Sequence, residues 1–221
     1  ALTAQSIGGG GGVISSAAGD LSLGTLDHQG SAASGDVNVT NTNLIQTDGD
    51  YSGAIVIQSI GSGGGFVAGA SGGKANLGAT NGLSKTLGTS GTITLKSEGK
   101  SIKTSGIGAT AILAQSIGGG GGVVTITDNE AINLGGSNLK EAIAGDLTIN
   151  NTGDITTTGS TSPLIMIQSI GGGGGYTTLN EKVKTGNASN ILKIGDSNSS
   201  RSRGGAITVN SSGNLYSEGL S

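Results

Sequence analysis

The chain has 221 residues, of which 46 are glycine, and its only aromatic residues are three tyrosines and one phenylalanine. So few large side chains exclude a broad globular core and favour a narrow one built from Ile, Val, Leu, Ala and Thr, as in a solenoid. A net charge of only −3 with 33% hydrophobic residues does not fit a disordered chain and argues against a nucleic-acid partner. The absence of cysteine excludes a disulfide scaffold and Cys-ligated zinc.

One peptide, Gln-Ser-Ile followed by five residues that are all glycine except Ser62, occurs four times. Its glutamines are Gln5, Gln58, Gln115 and Gln168, and its glycine blocks begin at Gly8, Gly61, Gly118 and Gly171. The intervals between the glutamines are 53, 57 and 53 residues, and self-similarity on this scale is typical of stacked structural units. We therefore predict one repeat array, a segment of a longer chain, with units 1–34 (partial), 35–90, 91–144, 145–204 and 205–221 (partial).

Each unit first contains a Gly-X-apolar-X-apolar motif, at residues 35–39, 91–95, 145–149 and 205–209. This strict alternation predicts a half-buried strand, with Val37 and Val39 facing the core. A second short strand is expected after a turn, at residues 44–47, 101–104, 154–157 and 214–217. The two strands are expected to form successive sides of a coil.

The strand that leads into Gln-Ser-Ile is apolar without alternation, at residues 54–58, 111–115 and 164–168. A continuous apolar run is typical of a strand covered on both faces. Val56, Leu113 and Met166 are therefore expected to have a cover outside the coil, either a loop or another chain. The glycines are followed by a variable insert of about 20 to 30 residues, such as 66–90 or 176–203, which is expected to form surface loops.

The short β-branched strands, the Gly, Asn and Asp turns and the single proline, Pro163, predict an all-β fold of stacked parallel coils, a β-solenoid. If one coil takes about 18 residues, each repeat contains about three coils and rises about 14 Å, at about 4.8 Å per strand. Equivalent glutamines would then not touch. A continuous glutamine ladder would need one glutamine in every coil.

The apolar strand, Gln-Ser-Ile and glycine block, followed by Gly-Asp-apolar-X-apolar and Asn-X-Gly turns, resembles the passenger repeats of large Gram-negative autotransporters of the type V secretion class. The resemblance covers essentially all 221 residues. It implies a right-handed parallel β-helix displayed outside the cell, exported by a signal peptide and anchored by a carboxy-terminal outer-membrane barrel, neither of which the sequence contains. Many such passengers act as adhesins. The lack of cysteine fits export of an unfolded chain.

Two elements of the repeated peptide are candidate sites. The bare backbone of the glycine blocks lets an insert, another chain or a ligand approach closely, and we favour internal packing over a ligand. A phosphate-binding loop ranks third, because no Gly-Lys-Ser or Gly-Lys-Thr follows the glycines. The four glutamines lie in apolar strands, where a buried amide needs hydrogen-bond partners. We expect those partners to be neighbouring backbone, including the glycine block, rather than a bound sugar or peptide.

The acidic residues do not predict a catalytic or metal site. The aspartates that follow glycine before a strand, Asp20, Asp36, Asp146 and Asp154, are typical of turns. The pairs Asp48 with Asp50 and Asp128 with Glu130 are expected to be solvated rather than to bind calcium or act as acid and base. His28, the only histidine, has no recognisable nucleophile nearby. We predict no catalytic residue, no metal site and no cofactor.

One stretch of the last insert is basic. Its positive residues are Lys182, Lys184, Lys193, Arg201 and Arg203. They would contact an anionic glycan or lipopolysaccharide, but a solubilising loop near Glu181 and Asp196 is the favoured interpretation.

These observations predict a non-enzymatic β-helical segment, an adhesin stalk or fibre that presents variable loops to a host or neighbouring cell. The alternative is a self-associating filament or matrix protein, in which apolar strands and glycines of one chain dock on another. A third class is a β-helical enzyme acting on polysaccharide. The expected location is extracellular, at the outer-membrane surface of a Gram-negative bacterium. No stretch approaches the ~20 apolar residues of a membrane helix, so anchoring would need a barrel elsewhere.

Overall fold

The computed structural model describes residues 1–24, 31–79, 87–128, 131–136, 139–179, 191–195 and 201–219. Within these ranges all regular structure is β-strand, and the strands form four successive coils, each one full turn of the chain. Coil 1 contains β1 (Leu2–Ile7), β2 (Gly11–Ile14), β3 (Ala17–Ala18), β4 (Leu21–Leu23), β5 (Ser31–Ala33), β6 (Val37–Asn41) and β7 (Ile45–Thr47). Coil 2 contains β8 (Ile55–Ile60), β9 (Gly64–Ser71), β10 (Lys74–Leu77), β11 (Leu87–Thr89), β12 (Ile93–Ser97) and β13 (Ser101–Thr104).

The last two coils repeat this order of six strands. Coil 3 contains β14 (Ile112–Ile117), β15 (Gly121–Asp128), β16 (Ala131–Leu134), β17 (Glu141–Ile143), β18 (Leu147–Asn151) and β19 (Asp154–Thr157). Coil 4 contains β20 (Ile165–Ile170), β21 (Gly174–Leu179), β22 (Ile191–Ile194), β23 (Ser202–Arg203), β24 (Ile207–Ser211) and β25 (Leu215–Ser217).

Equivalent strands of successive coils pair in parallel and build six sheets that run along the axis. We name them in chain order: sheet A (β1, β8, β14, β20), sheet B (β2, β9, β15, β21, with β3 also on β9), sheet C (β4, β10, β16, β22), sheet D (β5, β11, β17, β23), sheet E (β6, β12, β18, β24) and sheet F (β7, β13, β19, β25). The predicted parallel β-helix is therefore confirmed.

The number of coils per repeat differs from the prediction, because each repeat forms one coil rather than about three. Gln5, Gln58, Gln115 and Gln168 are direct neighbours in the register of sheet A. The residues after the glycines, expected to be loops, supply the strands of sheets B, C and D. A coil therefore has six sides and uses the whole repeat. Each repeat rises by one strand spacing, about 4.8 Å, instead of about 14 Å.

The larger core lies between sheets A, E and F. Ile55 and Ile57 of β8 pack there with Ile93 and Leu95 of β12 and with Ile102 of β13, all fully buried. The alternation predicted for the Gly-X-apolar-X-apolar strands is confirmed, since every second residue of β12 is buried. Burial of these aliphatic side chains is the main stabilising contribution available to a chain with so few aromatics.

A second core lies between sheets B and C, where Val67 and Val124 pack with Leu77 and Leu134. A third cluster covers the other face of sheet A. Its members are Val56, Leu113 and Met166 of sheet A and Phe66, Val123 and Tyr176 of sheet B. The sheet A strands are thus covered on both faces, as their apolar run predicted, and the cover is the next strand of the same coil.

Candidate functional site

The repeated glutamines form a ladder along sheet A. Gln58 Nε2 donates to Gln115 Oε1 at 2.7 Å, and Gln115 Nε2 donates to Gln168 Oε1 at 2.6 Å. Gln5 Nε2 donates to Gln58 Oε1 in the same way. Gln58 and Gln115 have no exposed surface, so these bonds satisfy amides that would otherwise be costly to bury. The prediction that equivalent glutamines do not touch is wrong, since one coil per repeat places one glutamine in every coil.

The same amides also bind the glycine blocks. Gln58 Nε2 lies 3.3 Å from the carbonyl oxygen of Gly65, and Gln168 Nε2 lies 3.4 Å from that of Gly175. These contacts are long compared with the ladder bonds and hold the turn between sheets A and B against the strand that precedes it. The glutamines therefore link coils along the axis and fix the turn within each coil.

The serine of Gln-Ser-Ile has a structural role that the sequence reasoning missed. The Ser116 hydroxyl accepts a hydrogen bond from the backbone N–H of Gly145 at 2.8 Å and donates to the carbonyl oxygen of Gly91 at 3.0 Å. Gly145 belongs to the same coil and Gly91 to the preceding one. Ser59 and Ser169 repeat this arrangement. The sequence contained a signal for this role, because the serine and the glycine that opens each Gly-X-apolar-X-apolar motif both recur in all four copies.

The first glycine of each block packs against the backbone of sheet D. A Cβ atom on Gly61 would lie 2.5 Å from the carbonyl oxygen of Thr89, and one on Gly118 would lie 2.6 Å from the backbone nitrogen of Ile143. Gly8 and Gly171 meet sheet D in the same way. Real side chains do not approach backbone so closely, so only glycine fits at these positions.

The third residue of the blocks, a glycine, meets the end of sheet C. Gly63 has a φ of +84° and Gly120 a φ of +85°, a region that glycine adopts without steric cost. A Cβ on Gly63 would lie 2.6 Å from the Cα of Gly24, and one on Gly120 would lie 2.8 Å from the Cα of Gly78. The glycine blocks therefore fill the centre of the coil, where the A-to-B turn meets sheets C and D.

This packing removes the surfaces that lateral docking was expected to use. All five residues of the blocks at 61–65 and 118–122 are buried. Val56 and Leu113 are also buried, under sheet B of the same chain. In these two inner coils neither the bare glycine backbone nor the second apolar face is open to another chain.

The aspartates that follow glycine bind backbone of the next coil. The Oδ1 atom of Asp36 accepts from the N–H of Thr92, and that of Asp146 accepts from Ala206, each at 2.7 Å. Asp20 and Asp154 make the same bond to Lys74 and Asn214, at 2.9 and 2.8 Å. Such carboxylate-to-amide bonds are turn chemistry repeated along the axis.

The structure describes the side chains of only one of the two acidic pairs, Asp48 with Asp50. Asp48 accepts from the Ser105 hydroxyl and Asp50 from the backbone N–H of Ile107, both at 2.9 Å. Only the backbone of Asp128, in β15, is described, and Glu130 and His28 lie outside the described residues. Within the described part of the chain no three His, Cys, Asp or Glu side chains gather into a metal-binding group.

The basic residues of the last insert are only partly placed. Lys182 and Lys184 lie outside the described residues, and only the backbone of Lys193, in β22, is described. Arg201 and Arg203 are exposed at the beginning of sheet D in coil 4. Of the five predicted anion contacts, the structure therefore places two side chains, Arg201 and Arg203, at the surface.

Three of the four aromatic residues meet at one shallow surface groove, which the sequence reasoning did not anticipate. Tyr51, Phe66 and Tyr176 line it over a floor that includes Val56 and Leu113. Burial raises the pKa of the Tyr176 hydroxyl above its usual value. The signal in the sequence was the residue after each glycine block, where Phe66 and Tyr176 occupy equivalent positions.

Tyr51 is held in this groove by an unusual backbone conformation. Its φ is +56°, close to the +64° of Gly108, which occupies the equivalent position in the turn of the next coil. The turn requires the left-handed region, which costs a non-glycine residue conformational energy. Among the residues that the structure describes, no charged side chain lines the groove.

Comparison with protein families, with curated proteins and with solved structures found no match. Among the described residues there is no helix long and apolar enough to cross a membrane.

Proposed function

We propose that this chain is a non-enzymatic structural segment of a β-helical fibre, displayed on or secreted from a bacterial surface, that acts as an adhesin stalk. The observation that supports this most strongly is the parallel pairing of six sheets across all four repeats, in register except for irregularities in sheet B between coils 2 and 3. Glutamine and serine side chains bond each coil to the next, and aspartates do so between coils 1 and 2 and between coils 3 and 4. Such an array extends by adding repeats, and each repeat contacts only its neighbours.

Three of the described aspartates are used for this architecture. Asp36, Asp50 and Asp146 each accept a hydrogen bond from a backbone N–H of the following coil. A carboxylate used in this way has a structural role, because it holds a turn of the coil. This favours the structural function over a polysaccharide-acting enzyme.

The differences between repeats support presentation of variable surface. The strands of sheet A have six residues in every coil and those of sheet E have five. The repeats differ in the connections instead, for example in the segment 180–190 that separates sheets B and C of coil 4. Connections tolerate variation and commonly carry binding specificity, so we assign contact with a host or neighbouring cell to them.

Adhesion is tested with beads coated with the purified chain and incubated with epithelial cells, extracellular matrix and Gram-negative cells. Retention on at least one surface is expected. A variant in which residues 180–190 are replaced by a Gly-Ser linker of equal length should lose much of that retention while its melting temperature stays unchanged. Failure of the parent chain to bind any of these surfaces would contradict the adhesin function.

The stalk geometry is tested separately by small-angle X-ray scattering of chains that carry one or two extra copies of residues 91–144. Each added copy should lengthen the particle by about 4.8 Å at constant cross-section. A gain of about 14 Å per copy would contradict one coil per repeat. Surface display is tested by protease treatment of intact cells that produce the parent protein, which should release fragments of this segment.

A further inference from the structure

We propose that the groove around Gly108 binds one ring of an uncharged glycan, held between aromatic side chains of coils 2 and 4. The site lies on the coils themselves and not on the variable connections. It therefore goes beyond the stalk function, and it is tested without an adhesion assay. Three observations support it: a recess at coil 3, the chemistry of the groove lining and the spacing of the groove walls.

The recess arises because coil 3 has small residues at two positions where coil 2 has rings. Tyr51, in the turn that leads into coil 2, is aligned with Gly108, in the turn that leads into coil 3. In sheet B, Phe66 is aligned with Val123, and Val123 with Tyr176. Rings of coils 2 and 4 therefore stand on either side of coil 3. Since coil 3 has a neighbouring coil on both sides, the recess does not depend on the ends of the array.

The recess at Gly108 is due to its missing side chain. The φ angles are +56° at Tyr51, +64° at Gly108 and +54° at Thr161. These three residues are equivalent in the register of sheet A. The turn thus keeps a positive φ in three coils, while the residue changes from tyrosine to glycine to threonine. Ile107, next to Gly108, is 48% exposed and adds apolar surface beside the recess.

The groove offers apolar surface and hydrogen-bonding groups side by side. Its floor is apolar and buried, since Val56 and Leu113 are only 4% and 3% exposed. Among the described residues, the hydroxyl groups of Tyr51 and Tyr176 have no hydrogen-bond partner, so both are available to a ligand. Thr110 lines the same groove. A site of this kind fits a ligand that has an apolar body and a polar edge.

A pyranose ring has this combination, because its C–H groups form an apolar face that packs on an aromatic ring while its hydroxyls project from the edge. The described lining carries no charge, which favours a neutral sugar over an anionic one, since a buried charge without a partner is costly. A quaternary ammonium group also binds aromatic rings, but it has no donor or acceptor for the tyrosine hydroxyls. Among these ligand classes the groove therefore fits an uncharged sugar best.

The spacing of the walls fits one ring. Phe66 and Tyr176 are two coils apart in sheet B, so their Cα atoms are separated by about 9.6 Å, twice the strand spacing. Stacked rings have centroids about 4.5–7 Å apart. One ring placed midway, about 4.8 Å from each wall, fills this distance. A second ring would not fit between the same walls.

Binding is tested by NMR with four soluble, uncharged probes: cellotetraose, N-acetylchitotetraose, maltotetraose and mannotetraose. The chain has only four aromatic residues, so the signals of each ring can be followed separately. At least one oligosaccharide should shift the ring signals of Tyr51, Phe66 and Tyr176 in a saturable way. Tyr216 lies outside the groove, on sheet F, and is the internal control that should not shift. Tetragalacturonate and phosphocholine are the anionic and quaternary ammonium probes, and neither should bind.

The site is then localised by isothermal titration calorimetry with the oligosaccharide that binds. Tyr176→Leu removes one wall and should weaken binding about two- to tenfold. Gly108→Tyr fills the recess with the side chain that Tyr51 already has in the same turn, and should weaken binding at least as much. The matched control is Tyr216→Leu, which removes an exposed ring elsewhere and should bind as the parent chain does. Circular dichroism spectra of all three variants should match that of the parent chain.

Four outcomes would overturn the proposal. They are no saturable shift with any of the four oligosaccharides, shifts at Tyr216 as large as those at the groove rings, equal affinities of Gly108→Tyr and the parent chain, and binding of tetragalacturonate or phosphocholine without binding of a neutral oligosaccharide. If a groove variant does not fold, the NMR result on the parent chain decides.

Discussion

The glutamine ladder makes a quantitative prediction at Gln115, its fully buried centre. Gln115→Leu keeps the volume but removes two hydrogen bonds. Gln58 Nε2 loses the 2.7 Å bond and keeps only the longer contact with Gly65. Gln168 Oε1 loses its 2.6 Å donor. A buried polar group that loses its partner costs about 1–3 kcal/mol.

The two penalties are not equal. Gln168 is only partly buried, so water can replace part of the lost bond, whereas Gln58 is fully buried. Allowing for the apolar burial that leucine adds, we expect a net loss of about 2–4 kcal/mol in the free energy of unfolding. For a chain of this length that corresponds to a fall in melting temperature of about 5–12 °C.

The assay is thermal unfolding followed by circular dichroism at several protein concentrations, so that any association between copies is separated from folding. The control is Gln5→Leu, which breaks one ladder bond at a partly exposed end and should cost no more than about 1 kcal/mol. If Gln115→Leu melts at or above the temperature of the parent chain, the ladder does not stabilise the fold and the reasoning is refuted. Equal losses in the two variants would show that burial does not set the cost.

Three further predictions concern single positions. Gly118→Ala should lower the free energy of unfolding by at least about 2 kcal/mol, because the added Cβ would meet the backbone of sheet D. The control is Gly69→Ala, whose added Cβ would have its nearest neighbour at 3.7 Å and which should be neutral or slightly stabilising in urea unfolding. Equal effects of the two substitutions would contradict the packing at Gly118. Ser116→Ala should lose about 1–3 kcal/mol, and Ser6→Ala, which makes one exposed bond, should lose less in the same assay. Burial raises the pKa of Tyr176, so the folded chain keeps the phenol proton to higher pH than the unfolded chain does. The stabilising contribution of this group is therefore complete below about pH 10 and is lost as the pH rises further. Tyr176→Phe should show a smaller fall in melting temperature between pH 8 and pH 11 than the parent chain, and an identical fall would contradict this prediction.

Much of the fold follows from local patterns. The period of Gln-Ser-Ile predicts a stacked array, and the alternation around Val37 predicts which residues face the core. The apolar run through Val56 predicts a strand covered on both faces. These inferences hold because side-chain direction alternates along any strand, whatever the rest of the chain does.

The candidate site was predicted less completely. That Gln115 must find partners follows from burial of an amide in an apolar strand, but its partners are other glutamines because successive repeats lie one strand apart. The function of Ser116 depends on Gly91, 25 residues earlier in the chain, which no local pattern connects to it. The groove around Tyr51 likewise joins residues of three coils.

The sequence alone therefore predicts a parallel β-helix, the period of its repeat and, in the Gly-X-apolar-X-apolar strands, the residues that face the core. Only the tertiary structure establishes that a repeat makes one six-sided coil. The period of a repeat gives the separation of equivalent residues along the chain, but not the number of strands and turns that lie between them. That number depends on contacts between distant segments, such as the glycine block at Gly61 fitting against Thr89. The ladders and the cover of sheet A are both consequences of that packing.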